Sequence, residues 1–159
     1  MKTRTIALLA LVLVVLGTAI SGCGPSPEDV YAEAMVPALE NYFAKLTSMS
    51  EALGASGELT DPAYQEKLTA AMNELDAASA DLGKVNVEVP ESMATLDGYI
   101  QEIGSETTVF TDSIRGILDE ANAGNSEAMM AKLDEMQTSL GKLTDLIDKT
   151  NAEIDRINQ

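Results

Sequence analysis

The side chains of this chain that could do chemistry are few in kind. Asp and Glu number 26 against 10 Lys and Arg, there are 8 methionines, 4 tyrosines and 1 cysteine, and histidine is absent. Without histidine, neither Ser-His-Asp nor Cys-His nucleophilic arrangements can be assembled, nor histidine zinc sites, nor the Glu-x-x-His pairs of di-iron bundles. No Gly-x-x-x-x-Gly-Lys or Gly-x-Gly-x-x-Gly run supplies a phosphate cradle. Carboxylate pairs could act as general acid and base, but Glu102, Glu106, Asp112, Asp119, Asp134, Glu135, Asp145 and Asp148 fall off the apolar positions, where solvated faces are expected. Asp145 with Lys149 makes a helix-surface pair worth about 0.2 to 0.5 kcal/mol. The run Asp119 to Asn125 lacks the alternating ligands and closing Glu of a calcium loop. An enzyme, a metal and a cofactor are therefore not expected, and nucleic acid is excluded as a partner because the few Lys and Arg are scattered singly.

Methionine and tyrosine leave one sharper possibility. Met35, Met49, Met72, Met93, Met129 and Met136 lie on or beside the expected core, where a flexible thioether fills gaps. The alternative is a small molecule or soft metal held among Tyr42, Tyr64, Tyr99, Phe110 and the methionines, or an adaptable groove nucleated by Met129, Met130 and Met136. It requires an unfilled apolar cavity lined by those side chains. Thr107 and Thr150, inside otherwise apolar stripes, are expected to bond their own helix backbone. Gly98, Gly104 and Gly116 mark close packing or local weakness of up to about 1 kcal/mol each.

The single cysteine has the most informative surroundings. Lys2 and Arg4 open the chain, Ile6 to Ile20 is a mostly aliphatic stretch, and Ile20-Ser21-Gly22 then leads into Cys23. As a helix that stretch reaches roughly 22 Å, short of the roughly 30 Å core of a bilayer, so it reads as a signal h-region and not as a permanent span. The segment resembles the signal peptide of bacterial lipoproteins, whose lipobox ends in a small residue followed by a cysteine. The resemblance covers residues 1–23 and implies that Cys23 is lipidated and becomes the new N-terminus. An uncleaved anchor extended through Gly22 and an ordinary secretory signal are the competing readings. In a diderm cell, Gly24 after the cysteine resembles an outer-membrane sorting signal; otherwise the implied address is the cell membrane, outside the cytoplasm.

Removal of residues 1–22, Lys2 and Arg4 among them, leaves 137 of 159 residues with a side-chain charge of −18. A chain of that size forms one domain, and with no cysteine free for a disulfide its stability must come from packing. The expected organisation is a signal peptide over 1–22, a lipidated Cys23 with a short linker through residue 27, and a single helical domain over 28–159.

Four apolar stripes at steps of 3 and 4 define the elements that must position everything else. The first is Tyr31, Met35, Leu39, Tyr42, Leu46, Met49, Leu53, with Pro37 either kinking this helix or marking its start, the kink being favoured. Asp61-Pro62 opens the second with an N-cap acceptor and a proline at the first helical position, and its stripe is Tyr64, Leu68, Ala71, Leu75, Ala78, Leu82, with Met72 and Ser79 on the flank and Gly83 as C′. Residues 85–89 alternate like a strand but lack a partner strand, so they form an extended connection whose valines cap the bundle end. Pro90 begins the third helix, with the stripe Met93, Leu96, Ile100, Ile103, Thr107, Phe110, Ile114, Ile117, Ala121. The fourth stripe is Met129, Leu133, Met136, Leu140, Leu143, Ile147, Thr150, Ile154, Ile157.

The short turn at Gly124-Asn125-Ser126 predicts that helices three and four fold back as a hairpin, pairing Ile117 with Leu133, Phe110 with Leu140 and Ile103 with Ile147. A hairpin of helices one and two pairs Leu53 with Tyr64 and Tyr42 with Leu75. A second apolar flank, Tyr99, Val109, Leu118 and Leu146, is covered if the hairpins pack together. The expected fold is all-α: an antiparallel up-down four-helix bundle with coiled-coil-like hairpins after an N-terminal signal helix, with some overhang at one end. Only Gly24 to Pro27 separate the lipid from helix one, so a standing rod is expected on the membrane. Residues 28–159 resemble small helical bacterial lipoproteins in general, a likeness that transfers no functional residue. The expected role is a non-catalytic lipoprotein that contacts another envelope protein or supports envelope structure.

Overall fold

Where the chain first becomes helical is decided by Ser26. Its hydroxyl accepts from the Asp29 amide at 3.1 Å while the Asp29 carboxylate accepts from the Ser26 amide at 3.0 Å, a reciprocal cap that starts α1 (Pro27–Gly54). The computed structural model describes residues 25–55 and 57–158; the expected signal segment 1–22, Cys23 and Gly24 lie outside the described residues. Pro37 lies inside α1 and is not its start. Asp61 caps α2 (Pro62–Leu82) by accepting from the Ala63 amide at 3.0 Å, with Pro62 at the first helical position. Asn125 caps α4 (Ser126–Ile157) by accepting from the Ala128 amide at 3.3 Å. Between them runs α3 (Ala94–Ala123).

Two boundary details depart from expectation, and a third departs only at Val89. Pro90 does not begin α3 directly; it precedes a single 3-10 turn, Glu91–Met93, which places Met93 in the core before α3 starts. Gly83 ends α2 at φ −76°, a right-handed conformation, so it is not a left-handed C′ residue. Residues 85–89 form no strand, and Val85 and Val87 pack against the core while Val89 stays exposed. Among the described residues the one glycine at positive φ is Gly124, at +68°, where the chain leaves α3. Gly124→Ala is expected to lose about 1 to 2 kcal/mol in urea unfolding. Gly98→Ala should instead gain up to about 1 kcal/mol, because Gly98 sits inside α3 and its added Cβ would meet nothing within 4 Å.

The four helices pack against one another around one apolar cluster. Every member of the third stripe except Ala121 is buried, as are Tyr31, Met35, Leu39, Tyr42 and Met49 of the first. Leu68, Leu75, Ala78 and Leu82 of the second are buried together with flanking Met72 and Ser79. The fourth stripe needs correction at its centre. Leu140 is 47% exposed and Ser139 is buried in its place, donating to the Glu106 carbonyl at 3.1 Å. Leu143 and Thr150 keep the seven-residue line of Met129 and Met136, but the position flanking it inward changes from that of Leu133 and Leu140 to that of Ser139 and Leu146, so Leu140 faces outward. The second apolar flank divides: Leu118 and Leu146 are buried, Tyr99 is half-buried, and Val109 is 49% exposed.

Polar ties fix the helices at named points. Tyr31 donates to Asp97 at 2.9 Å, the Tyr42 and Thr107 hydroxyls meet at 2.8 Å, and Ser92 donates to Glu28 at 2.8 Å. Lys45 pairs with Glu74 at 2.9 Å, and the Tyr64 hydroxyl reaches the Leu53 carbonyl at 3.5 Å. Between α2 and α3, Ser79 donates to the Gly104 carbonyl at 2.9 Å, Thr111 to Asp76 at 2.6 Å, and Gln65 to Asn122 at 2.8 Å.

Candidate functional site

Of the eight acids expected on solvated faces, Glu106 alone is drawn inward. Glu102, Asp112, Asp119, Asp134, Glu135, Asp145 and Asp148 are exposed, but the Glu106 side chain is only 14% exposed. The reason is its position: Ile103, Glu106, Phe110, Ser113 and Ile117 advance by 3 and 4, a stripe beside the main apolar one, and the other four are buried. That stripe faces α4. Glu106 Oε2 lies 3.5 Å from Lys142 Nζ, its backbone carbonyl takes the Ser139 hydroxyl, and Oε1 is buried with no hydrogen-bond partner. The stripe is present in the sequence; what hid it is that its second and fourth members are polar.

A groove of about 260 Å³ opens beside this residue, lined by Glu102, Ser105, Glu106, Lys142, Asp145, Leu146 and Lys149. Its charges largely satisfy one another. Lys149 Nζ sits 2.7 Å from Asp145, the i,i+4 pair anticipated from sequence, and that hydrogen bond raises the lysine pKa and keeps it cationic. A second groove of about 250 Å³ runs between α2 and α3, lined by Asp76, Ser79, Gln101, Gly104, Ser105 and Thr108 among others. Asp76 is fully engaged there: it accepts from Thr111 and from Arg115, and Arg115 also donates to Asp112 at 2.9 Å and Asn73 at 3.3 Å. The bond to Asp76 raises the Arg115 pKa, and the guanidinium clasps α2 to α3.

The aromatic and thioether side chains that could have lined a ligand cavity are used elsewhere. Tyr42 is fully buried, set edge-on to Phe43 at 5.5 Å between ring centres, with its hydroxyl on Thr107. Phe110, Met35, Met49, Met72 and Met93 are buried in the same cluster, whereas Tyr64 and Tyr99 are half-buried at its edge and Met130 is 62% exposed. Neither groove is lined by any of these residues. Thr107 and Thr150 bond their own helix, to the Ile103 carbonyl at 2.7 Å and the Leu146 carbonyl at 2.8 Å. Among the described residues no group of three or more His, Cys, Asp or Glu could hold a metal ion, and no helix is long and apolar enough to cross a membrane.

Burial acts on the two core phenols. It pushes the Tyr42 pKa up to about 12, and it raises that of Tyr31, which also donates to the Asp97 carboxylate. Below the ordinary tyrosine value of 10.0 both folded and unfolded states hold these protons and the contribution is complete. Above it the unfolded chain ionises first. Stability is therefore expected to fall between pH 10 and about pH 12, by up to about 1.4 kcal/mol per pH unit per tyrosine, in urea unfolding followed across that range. Tyr42→Phe should make the decline shallower.

The fold defines a class: among the described residues, an all-helical protein whose four helices pack around one apolar cluster, with charged and hydroxyl side chains along the grooves described above. No protein-family model, curated protein or solved structure matches this chain.

Proposed function

We propose that this protein is a lipid-anchored lipoprotein held outside the cytoplasm through Cys23, on the outer membrane if the cell is diderm, and that its helical domain is non-catalytic and works by contacting an envelope protein. The observation that carries the non-catalytic reading is the spent interior: Tyr42, Phe110 and four methionines are committed to packing, and the phenol that might have greeted a ligand bonds Thr107. The address rests on the Lys2 to Cys23 pattern and on α1 beginning at Pro27, a tether of about 14 Å at full extension.

In this reading the helices run up, down, up and down as an antiparallel bundle with coiled-coil-like hairpins, preceded by a signal helix. Support comes from the ties between helices. Residue numbers rise together along α1 and α3, through Tyr31 with Asp97 and Tyr42 with Thr107, but run oppositely along α2 and α3, through Gln65 with Asn122, Asp76 with Thr111 and Ser79 with Gly104. The residue 85–89 connection and the C-terminus then lie near the membrane, and the residue 55–61 and 124–125 turns lie far from it. A body carrying −18 is repelled by anionic head groups within a Debye length of about 8 Å, which favours a standing rod.

Proximity crosslinking in cells, run beside a Cys23→Ala form, tests the role. Repeated capture of one envelope protein, lost in the variant, is the expected result. An empty capture, with a bound small molecule or metal recovered by native mass spectrometry, overturns it.

A further inference from the structure

The apolar stripe of α4 changes character at Ser139. Beyond it Leu143, Leu146, Thr150 and Ile154 are buried, whereas no residue of α4 ahead of it is. Met129, Leu133 and Met136 are half-buried, and Met130 and Leu140 are 62% and 47% exposed. At about 100° per residue these five fall within an arc of about 120°, so they form one continuous strip along one side of the helix. Ser126, Gln137 and Thr144 lie on the same arc, and none of the charged residues between Ser126 and Ile147 does. A contiguous exposed apolar strip of this kind marks a surface that meets a partner.

The two borders of the strip carry opposite charge. Beyond one edge lie Lys132, Lys142 and Lys149, each already holding a carboxylate, on Glu135, Glu106 and Asp145 respectively. Along the other edge lie Glu127, Asp134 and Asp148, all exposed and, among the described residues, paired with no cation. They recur every seventh residue, and the gap in their line is Gly141, which has no side chain to offer. Met130, Leu133, Gln137, Leu140 and Thr144 advance by 3 and 4, the seam of a two-helix contact, and the three acids stand at the flanking positions whose charges select the partner in such contacts.

Resting on the envelope-partner role, we propose that this strip docks a helix of the partner protein, one with apolar residues at steps of 3 and 4 and with Lys or Arg beside them. The seam supplies the apolar contact, and a cationic flank answers Glu127, Asp134 and Asp148. Met129, Met130 and Met136 adapt to the shape of what is docked. A second copy of this chain fits the strip poorly, because it brings the same acids and the same large negative charge.

Photocrosslinking from the full chain in cells, with a photoreactive side chain in place of Gln137, Leu140, Ser48 or Thr69, tests the surface, because all four positions are exposed but only the first two lie on the strip. Capture from Gln137 and Leu140 is expected to exceed that from Ser48 and Thr69 about tenfold, with the crosslinked partner segment showing the apolar steps and the cationic flank. Asp134→Lys combined with Asp148→Lys should cut the yield about tenfold, while Glu51→Lys combined with Glu66→Lys, the same change of charge off the strip, should leave it within about twofold. All four acids are exposed, so folding is spared. A crosslink to a second copy or to residues 1–22 of this chain, a partner segment flanked by acids, or equal loss in both charge variants would overturn the docking surface. Capture of an envelope protein from Ser48 or Thr69 alone overturns the surface and leaves the envelope role standing. Capture of a cytoplasmic protein from Gln137 overturns the role, and capture from no position overturns both.

Discussion

Exchanging Cys23 for alanine is expected to abolish incorporation of labelled fatty acid into this protein completely. Cys23 is the only thiol in the chain, so no second side chain can take over a thioether or thioester linkage. The effect on location should be equally large for a chain beginning at Pro25. Each buried methylene of an acyl chain contributes about 0.8 kcal/mol, and stable anchoring takes more than one chain. The rest of the protein supplies no substitute, because no helix among the described residues is apolar and long enough to cross a bilayer and the acidic body is repelled by anionic lipid. The chain beginning at Pro25 should therefore stay in the aqueous phase on detergent partitioning, with helical circular dichroism retained because the Ser26 and Asp29 cap is intact. Intact mass spectrometry of the unaltered protein checks the premise, and an unmodified, uncut chain would sink it.

The elements were legible because each rule that sets them is local. Asp61-Pro62 announces α2 by a cap acceptor and a proline whose missing amide hydrogen costs nothing at the first turn, and both act there as expected. The third stripe reads cleanly because six of its nine members are β-branched or aromatic, and packing buries all of it but Ala121. The errors share a cause: hydropathy counts apolar side chains, while the faces of these helices are completed by small polar ones. Ser79, Thr111, Ser113 and Ser139 are all buried, each with its hydroxyl bonded to a carbonyl or carboxylate nearby. Passing over Ser139 put Leu140 in the core, and passing over Ser113 hid the stripe that carries Glu106 inward. Glu106 was unreadable for a second reason, since its burial depends on α4 crossing at Lys142, a register that a one-dimensional pattern fixes only to within a couple of residues.

The largest stability effect in the described domain is expected at Tyr42, and its pattern of variants discriminates packing from hydrogen bonding. Tyr42 is fully buried within the core, so Tyr42→Ala should lose about 3 to 5 kcal/mol, a large part of the roughly 5 to 15 kcal/mol that holds a domain folded. The hydroxyl contributes far less. Thr107 has one hydroxyl hydrogen and gives it to the Ile103 carbonyl at 2.7 Å, so in the 2.8 Å contact it is Tyr42 that donates. Tyr42→Phe then removes one bond while Thr107 keeps the other, a loss of about 1 kcal/mol. Thr107→Val, nearly isosteric, strands the Tyr42 phenol in an environment without water and should lose about 1 to 3 kcal/mol. Combining Tyr42→Phe with Thr107→Val removes the stranded group, so the double variant should be more stable than the sum of the single losses predicts. Urea unfolding of the four proteins measures the coupling. Strict additivity would mean that the two hydroxyls are not bonded in the folded chain and that the contact between α1 and α3 rests on shape alone.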